Sequence, residues 1–339
     1  MLVESNPDMR VEPASITKVM TSYVVFHELR EGNIQLSDTV NISENAWRTG
    51  GSRMFIEPRM EVTVEQLLKG MVIQSGNDAS VALAEHLAGS EEAFAGLMNH
   101  YAEQLGMSGS HFMNATGLPH EEHYTTARDV AILSIALIMD FPEYYPWYSE
   151  KEYSFNDIRQ HNRNNLLWRD PAVDGLKTGH TQAAGYCLAA SAMRDGMRLV
   201  SVVLGSASEN TRVSESQTLL NYGFRFFETV QLYKAGQELA QGKVWKGEAD
   251  QIRLGIADEL FVTIPRGRYE DLDAQVEMRP ELVAPIDDGE EVGKISIRLE
   301  DEEITSRGLI ALEPVAEAGF FGRTWDGVSM WFGGLFEDD

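Results

Sequence analysis

The sequence predicts an α/β protein of the α+β kind, in which a helix-rich first part is followed by a small all-β domain. Apolar residues recur at helical spacing over residues 13–29, which predicts an early helix. Residues 185–193 and 197–205 are short apolar runs on either side of a polar turn, a pattern typical of a β-hairpin. Short strand-like runs separated by turn residues and charges occupy 250–315 and predict a small β-sandwich.

Further helices are predicted between and after these segments. Residues 64–74 and 78–88 are apolar and helical in pattern, and they are separated by a break at 75–77. Residues 127–139 follow a threonine suited to capping a helix, and 214–227 also have a helical pattern. The first part therefore contains most of the helices, and its strands come late.

The character of the chain changes near residue 227. We therefore expect a first domain over 1–227, a β-rich second domain over 228–315 and a tail over 316–339. Apolar residues recur at helical spacing in the tail, which fits an amphipathic helix lying on a membrane. A helix docked on its own domain, or a frayed end, fits equally well. The apolar positions are Phe321, Trp325, Val328, Phe332 and Leu335.

Composition excludes several classes of protein. The chain has 339 residues with 28 Lys and Arg against 53 Asp and Glu, a net charge of −25, so nucleic acid is not an expected partner. A single cysteine, Cys187, excludes an internal disulfide and a cysteine-based zinc site. The chain shows neither an apolar run of about 20 residues nor a signal peptide, and taken literally this predicts a cytosolic protein.

The first candidate for catalysis is the run Ser15-Ile-Thr-Lys18 at the start of the predicted helix. The spacing of three residues places Ser15 and Lys18 on one face of a helix, within reach of each other. The positive potential at a helix N-terminus favours a neutral amine, which can act as a base toward the serine hydroxyl. The pattern is weak on its own, because it occurs by chance about once in a chain of this length.

The second candidate is Ser75-Gly76-Asn77, one of four Ser-x-Asn runs in the chain. It is preferred because it lies at a glycine break between two apolar helices, where a turn can direct both side chains into a cleft. Ser75 would relay a proton and Asn77 would bind a substrate amide. A capping serine followed by a turn-forming Gly-Asn is the alternative interpretation.

The third and most specific candidate is Lys177-Thr178-Gly179, which precedes His180, Thr181 and an apolar strand. A strand beside the nucleophile offers backbone N–H groups to an oxyanion. Lysine and hydroxyl groups on that strand can bind a carboxylate. A glycine lets substrate approach the backbone closely. An exposed turn is the alternative if the tripeptide is considered alone.

The three runs occur in the order typical of penicillin-binding proteins and class A β-lactamases. Together they supply a serine nucleophile, a lysine base, a polar middle element and a cationic strand. This is a complete acyl-transfer site without a histidine–aspartate pair. The order and the local contexts indicate the reaction class more strongly than any one run.

At these residues the chain resembles the low-molecular-mass penicillin-binding proteins, specifically the serine D-alanyl-D-alanine carboxypeptidases. The resemblance covers nearly the whole chain and implies their transpeptidase-like α/β fold, a β-sandwich stalk domain and an anchoring tail. The segments that carry it are Pro13-Ala-Ser-Ile-Thr-Lys-Val-Met-Thr-Ser22, Gln74-Ser-Gly-Asn-Asp-Ala79, Asp174-Gly-Leu-Lys-Thr-Gly-His-Thr181 and Gly223-Phe-Arg-Phe-Phe-Glu-Thr229.

The resemblance also implies roles for individual residues. Ser15 is the expected acylated nucleophile, Lys18 its base and Ser75 the third catalytic group. The backbone N–H groups of Ser15 and His180 would form the oxyanion hole. The expected substrate-binding residues are Asn77, Lys177, Thr178, Gly179, His180, Thr181 and Arg212.

The expected substrate is a peptidoglycan stem peptide ending in D-Ala-D-Ala, with β-lactams as covalent inhibitors and neither metal nor cofactor. The resemblance implies a location in the periplasm at the outer face of the inner membrane, with peripheral membrane contact through 316–339. Family members carry a signal peptide and strands before the nucleophile helix, whereas 14 residues precede Ser15. We therefore expect a catalytic sheet with an exposed edge.

Two other functions remain as alternatives. A β-lactamase of class A needs a deacylating glutamate, usually in a Glu-x-x-Leu-Asn run, and none lies between Asn77 and Lys177. A catalytically defective paralogue would bind cell-wall peptide or β-lactam without turnover. The carboxypeptidase is the preferred interpretation.

Overall fold

The computed structural model describes residues 1–319 and divides into two compact units, Met1–Arg225 and a second that begins at Phe226. Most of the expected amphipathic tail, from residue 320 onward, lies outside the described residues. Among residues 1–319, none of the helices has the length and apolar character needed to cross a membrane.

The first unit contains eight α-helices among its described residues, with a 3-10 turn at Ala14–Ile16 before the first of them. In chain order the helices are α1 (Thr17–Arg30), α2 (Glu44–Arg48), α3 (Val64–Gln74), α4 (Asn77–Ala88), α5 (Glu91–Gln104), α6 (Ala127–Asp140), α7 (Leu166–Arg169) and α8 (Glu209–Phe226). Its strands are β1 (Thr39–Val40), β2 (Val62–Thr63), β3 (Glu152–Phe155), β4 (Ile158–His161), β5 (Val173–Thr181), β6 (Gly185–Arg194) and β7 (Met197–Ser206).

Helix α1 lies in the centre of the first unit. Ten consecutive residues, from Thr17 to Phe26, are buried, because α1 packs against α3, α4, α5 and α6 on different sides. A helix buried on all sides must be apolar or small in most positions, as α1 is. Lys18 is therefore an exception that needs an explanation, since charged side chains are rarely buried without partners.

The predicted break between two helices is confirmed. Thr63 caps α3 in a reciprocal capping box with Gln66, so the helix begins where the sequence pattern indicated. It ends because Ser75 takes a left-handed conformation with φ of 70°, a conformation that a helix cannot continue through. Helix α4 then begins at Asn77, one residue before the predicted start.

The predicted hairpin is also confirmed, as β6 and β7 in an antiparallel sheet with the order β5-β6-β7. Asp195 and Gly196 both have positive φ values, 50° and 79°, as a tight hairpin turn requires. Among the described residues β7 is the strand at one edge of this sheet, and most of its residues are buried or half-buried. The edge faces a groove of about 1130 Å³ whose lining includes Ile135 and Met139 of α6.

The prediction for the last helix of this unit was wrong at its start. Helix α8 begins at Glu209 rather than at 214, because the Ser208 hydroxyl accepts a hydrogen bond from the backbone N–H of Thr211 and caps the helix. The first turn of α8 is polar, so it lacks the apolar periodicity from which the rest of the helix was predicted. At the other end, Phe227 is the first residue of a strand.

The second unit is made of strands, as predicted. These are β8 (Phe227–Tyr233), β9 (Ala240–Trp245), β10 (Gln251–Gly255), β11 (Leu260–Pro265), β12 (Leu272–Met278), β13 (Leu282–Val283), β14 (Glu291–Leu299) and β15 (Glu302–Ala311). Six of them form one sheet in the order β12-β14-β15-β10-β9-β13, and β11 pairs with β8. Val262 and Ile264 share an apolar cluster with Ile295 and Ile297, so the two sheets pack face to face as a sandwich.

Candidate active site

The candidate nucleophile Ser15 lies in the 3-10 turn that leads into α1. The Ser15 hydroxyl oxygen is 3.1 Å from Nζ of Lys18, one turn further along. Lys18 is 1% exposed, although it carries an ionisable amine. The spacing of three residues therefore brings the two side chains together, as the sequence predicted.

Three oxygen atoms surround the amine of Lys18. Besides Ser15, its Nζ donates to Oδ1 of Asn77 at 2.7 Å and to the backbone carbonyl of Thr116 at 2.5 Å. Burial, as the largest cause, and the nearby charge of Arg163 lower the pKa of Lys18 to about 7, although the carboxylates of Asp78 and Glu91 act in the opposite direction. We expected the helix N-terminus to favour the neutral amine, but the largest cause is the removal of the amine from water.

Asn77 is held by a loop at residues 50–56. Its side-chain amide donates to the carbonyl of Gly50 at 2.7 Å, and its backbone N–H donates to the carbonyl of Ser52 at 2.8 Å. The neighbouring Asp78 is buried, and its carboxylate accepts hydrogen bonds from three successive backbone N–H groups of the loop, those of residues 54–56. The loop therefore fixes the Asn77 carbonyl oxygen that contacts Lys18.

Ser75 occupies the turn between α3 and α4. Its side chain is 2% exposed, and its hydroxyl oxygen has no hydrogen-bond partner among the described residues. A buried hydroxyl without a partner is unfavourable by about 1–3 kcal/mol, and such groups in native proteins call for an explanation. A role toward substrate is one explanation, and it agrees with the sequence-based expectation for Ser75.

Strand β5 lies directly against the nucleophile turn. A side chain at Gly179 would begin 3.0 Å from the carbonyl oxygen of Pro13 and 3.2 Å from the backbone nitrogen of Ile16. Contacts this short leave no room for a Cβ atom without movement of the backbone. The sequence pattern was interpreted as access for substrate, and the contacts show a further reason for glycine at this position, the close approach of β5 to the turn.

Lys177 and Thr178 of β5 are both buried. Nζ of Lys177 donates to the carbonyl of Thr178 at 3.1 Å. Burial lowers the pKa of Lys177 well below its ordinary value, and the cations Lys18, Arg163 and Arg212 lower it further. The guanidinium groups of Arg163 and Arg212 make the surroundings of Lys177 positive, which suits a bound anion.

The remaining residues of the predicted site surround the end of β5. Nη1 of Arg212 donates to the carbonyl of Gly179 at 3.2 Å. The guanidinium lies over the ring of Tyr186, which also stacks on His180 with 4.0 Å between ring centroids. The Thr181 hydroxyl donates to Glu12 at 3.1 Å. Each of these residues is therefore tied to β5 or to the segment before the nucleophile.

Sequence reasoning missed a segment that we call the strap, residues 113–117. The strap supplies the Thr116 carbonyl to Lys18, and its Ala115 carbonyl accepts from the hydroxyl of Thr21 at 2.7 Å. A Cβ atom at Gly117, whose φ is +82°, would lie 1.8 Å from the carbonyl oxygen of Ala14. The strap therefore packs against the nucleophile turn with no space between them.

Arg163 was missed as well. Its charge lowers the pKa of both Lys18 and Lys177, and its Nε donates to the carbonyl of Gln74 at 3.2 Å. No motif marks Arg163, because it follows β4 in a polar stretch of asparagines. The carbonyl of Thr116 has no sequence signature at all, because every residue type carries one.

The fold and this arrangement define a class of protein, a serine acyl-transfer enzyme in which a lysine stands where other serine hydrolases have a histidine. The chain belongs to the D-alanyl-D-alanine carboxypeptidase family, whose model matches residues 1–208. A second model, that of the C-terminal domain of penicillin-binding protein 5, matches residues 227–317. These matches confirm the resemblance on which the sequence analysis relied.

Individual relatives agree with this assignment. The D-alanyl-D-alanine carboxypeptidase DacC of Escherichia coli is 47% identical, and the match covers 99% of this chain and 87% of that protein. The crystal structure of penicillin-binding protein 5 from Haemophilus influenzae is similar with a TM-score of 0.86 and 42% identity, over 93% of this chain and 94% of that one. Penicillin-binding protein D2 of Listeria monocytogenes in an ampicillin-bound form has a TM-score of 0.61 at 29% identity, over 66% and 91% of the two chains.

Proposed function

We propose that this protein is a carboxypeptidase that removes the terminal D-alanine from peptidoglycan stem peptides through an acyl-enzyme on Ser15. The observation that carries the proposal is the contact of 3.1 Å between the Ser15 hydroxyl and a buried amine whose pKa is about 7. A lysine with this pKa is largely neutral slightly above neutral pH, and a neutral amine can accept a proton.

The surroundings of Lys18 favour one direction for that proton. A neutral amine has two N–H bonds and one lone pair. The carbonyl oxygens of Asn77 and Thr116 can only accept, so they take the two N–H bonds. The lone pair is then left for the hydroxyl of Ser15, which can donate its proton as the oxygen attacks.

The reaction follows in two stages. Oγ of Ser15 attacks the carbonyl carbon of the penultimate D-alanine, and its proton passes to Lys18. The tetrahedral oxyanion is bound by the backbone N–H groups of Ser15 and His180. The proton is then delivered, with Ser75 as relay, to the nitrogen of the leaving D-alanine as the peptide bond breaks. Water subsequently hydrolyses the ester and regenerates Ser15.

The cationic end of the site fits the C-terminal carboxylate of the substrate. Burial is the largest cause of the low pKa of Lys177, and the charges of Arg163 and Arg212 lower it further. A carboxylate bound there would compensate these charges and allow Lys177 to be protonated. Thr178, Gly179 and Thr181 lie along the same strand and complete the proposed binding surface. Asn77 would bind a substrate amide.

Labelled penicillin tests the nucleophile. We expect covalent attachment to one residue, and we expect Ser15→Ala to abolish it, whereas Ser208→Ala, a serine at the start of α8, serves as a control that still labels. Labelling of Ser15→Ala would overturn the assignment. Release of D-alanine from a diacyl-Lys-D-Ala-D-Ala peptide separates the carboxypeptidase from a defective paralogue, which would label without release. Rapid turnover of the penicillin itself would instead favour a β-lactamase.

We also propose that catalysis resides in residues 1–227, that 228–315 form a stalk, and that the protein works in the periplasm at the outer face of the inner membrane. Support comes from membership of the family and from the two units of the fold. Peripheral contact through 316–339 would make liposome sedimentation depend on those residues. Equal sedimentation of the full chain and a chain ending at 315 would contradict the membrane contact.

A further inference from the structure

A buried histidine, His123, lies behind the candidate nucleophile, and the acyl-transfer chemistry does not use it. Its side chain is 2% exposed and comes from the segment just before α6. One ring nitrogen, Nε2, is 2.8 Å from the hydroxyl oxygen of Thr17, which lies between Ser15 and Lys18 in sequence. The other, Nδ1, accepts the backbone N–H of Met113 at 3.2 Å, the first residue of the strap.

These two contacts fix the tautomer of His123. The backbone N–H of Met113 can only donate, so Nδ1 must carry a lone pair. The proton of a neutral imidazole is then on Nε2, which donates to the hydroxyl of Thr17. Both bonds exist together only when the ring is neutral, because in the imidazolium form both nitrogens are donors.

His123 therefore joins the strap to the turn that carries the nucleophile. The strap holds the Thr116 carbonyl against Nζ of Lys18, and at Gly117 it has no space to shift toward Ala14. We propose that His123 is a positioning residue for Lys18, which acts through Thr17 and the strap to keep the lysine amine out of water and aimed at Ser15. The proposal rests on the roles of Ser15 and Lys18 given above.

The reasoning predicts the direction of the effect. Burial is the largest cause of the low pKa of Lys18; Arg163 lowers the pKa as well, whereas the carboxylates of Asp78 and Glu91 raise it. A strap that is released at residue 113 admits water to the amine, and the pKa of Lys18 then returns toward its ordinary value of 10.5. Loss of the Thr116 carbonyl would by itself lower the pKa of Lys18, because that acceptor stabilises the protonated amine. This effect is the smaller one, because a water molecule can replace the acceptor.

Burial keeps His123 neutral where acylation takes place. Burial, as the largest cause, together with His111, His120 and Lys18, lowers the pKa of His123 to about 4. Protonation of His123 thus lies well below the pH at which Lys18 loses its proton. A change in the pH profile of acylation near pH 7 consequently reports on Lys18 rather than on His123.

The test is the rate of acylation by labelled penicillin as a function of pH for His123→Leu and His123→Gln. Leucine fills the site without hydrogen bonds, whereas glutamine offers one acceptor and one donor. We expect the midpoint of the acid limb to rise by about one pH unit in His123→Leu, which makes acylation at pH 6 about tenfold slower and leaves it within about twofold at pH 9. We expect His123→Gln to restore most of this difference.

Two further variants keep the test decisive. His120→Leu changes an exposed histidine of the same segment and should leave the midpoint unchanged. Thr17→Val removes only the hydroxyl that His123 contacts and should raise the midpoint in the same direction, even if His123→Leu fails to fold. A His123→Leu or Thr17→Val enzyme that melts at a lower temperature but keeps the wild-type midpoint would overturn the proposal. An unlabelled wild-type enzyme would instead refute the proposed role of Ser15.

Discussion

Replacement of Lys18 by methionine should abolish acylation and change the pH dependence of stability in the same experiment. Methionine has a similar length and is apolar, so it fits a site that is 1% exposed. The pKa of Lys18 is about 7 in the folded protein, whereas the ordinary pKa of an exposed lysine is 10.5. Between these values the unfolded chain binds more protons than the folded one, so the free energy of unfolding rises with pH in this window.

The size of the effect follows from the two pKa values. Each pH unit inside the window contributes up to about 1.4 kcal/mol. From pH 7 to pH 9 the contribution of Lys18 to the free energy of unfolding should rise by about 2 kcal/mol, because at pH 7 the folded-state amine is already half deprotonated. Below about pH 6 the contribution is flat, because the amine is then protonated in both states, and the Lys18→Met variant lacks it at every pH.

The assay is urea unfolding of wild type and Lys18→Met at pH values from 6 to 9, with the difference between the two free energies plotted against pH. The difference removes groups that titrate in both proteins, and Lys177 enters only through its coupling to Lys18. Penicillin acylation of the wild type should rise with pH around the same midpoint. A difference curve that is flat from pH 7 to 9 would refute the low pKa of Lys18, and two clearly different midpoints would refute its role as the base.

Two other substitutions test the supports of the site. Gly117→Ala should destabilise the protein by at least about 1–3 kcal/mol and slow acylation, because the new Cβ atom meets the Ala14 carbonyl at a residue with positive φ. Urea unfolding measures the first effect and penicillin labelling the second. An unchanged acylation rate would contradict the close packing of the strap. Asp78→Asn should lower the free energy of unfolding by about 2–3 kcal/mol, because an amide N–H would face backbone N–H donors of the 50–56 loop. A loss under about 0.5 kcal/mol in urea unfolding would show that those contacts do not stabilise the loop.

The sequence predicted what depends on local pattern. The helix break at residues 75–77, the hairpin around Asp195 and Gly196 and the short strands of the second unit all follow from periodicity and turn chemistry, and all are confirmed. The contact of Ser15 with Lys18 also follows, because three residues of helical spacing are enough to bring the side chains together.

What escaped prediction depends on contacts between distant parts of the chain. Thr116 acts through its backbone carbonyl, which is 98 residues from Lys18 and leaves no mark on residue type. His123 meets Thr17 across 106 residues, and a lone histidine in a polar stretch gave no reason to choose it. The burial that lowers the pKa of Lys18 is likewise a property of packing. The sequence therefore predicted a lowered pKa correctly, but it attributed the shift to the helix N-terminus rather than to burial.

Because Lys18 and its partners are far apart in the sequence, labelling by penicillin can report on folding. Lys18 needs Asn77 and Thr116, at 59 and 98 residues along the chain, before its amine is dehydrated and aimed at Ser15. Helix α1 can form early from local contacts, whereas the loop and the strap must close long stretches of chain first. A refolding chain should therefore gain helical circular dichroism before it gains the ability to be labelled. The delay between the two signals measures the docking of the loop and the strap on α1, the step at which this chain becomes an enzyme.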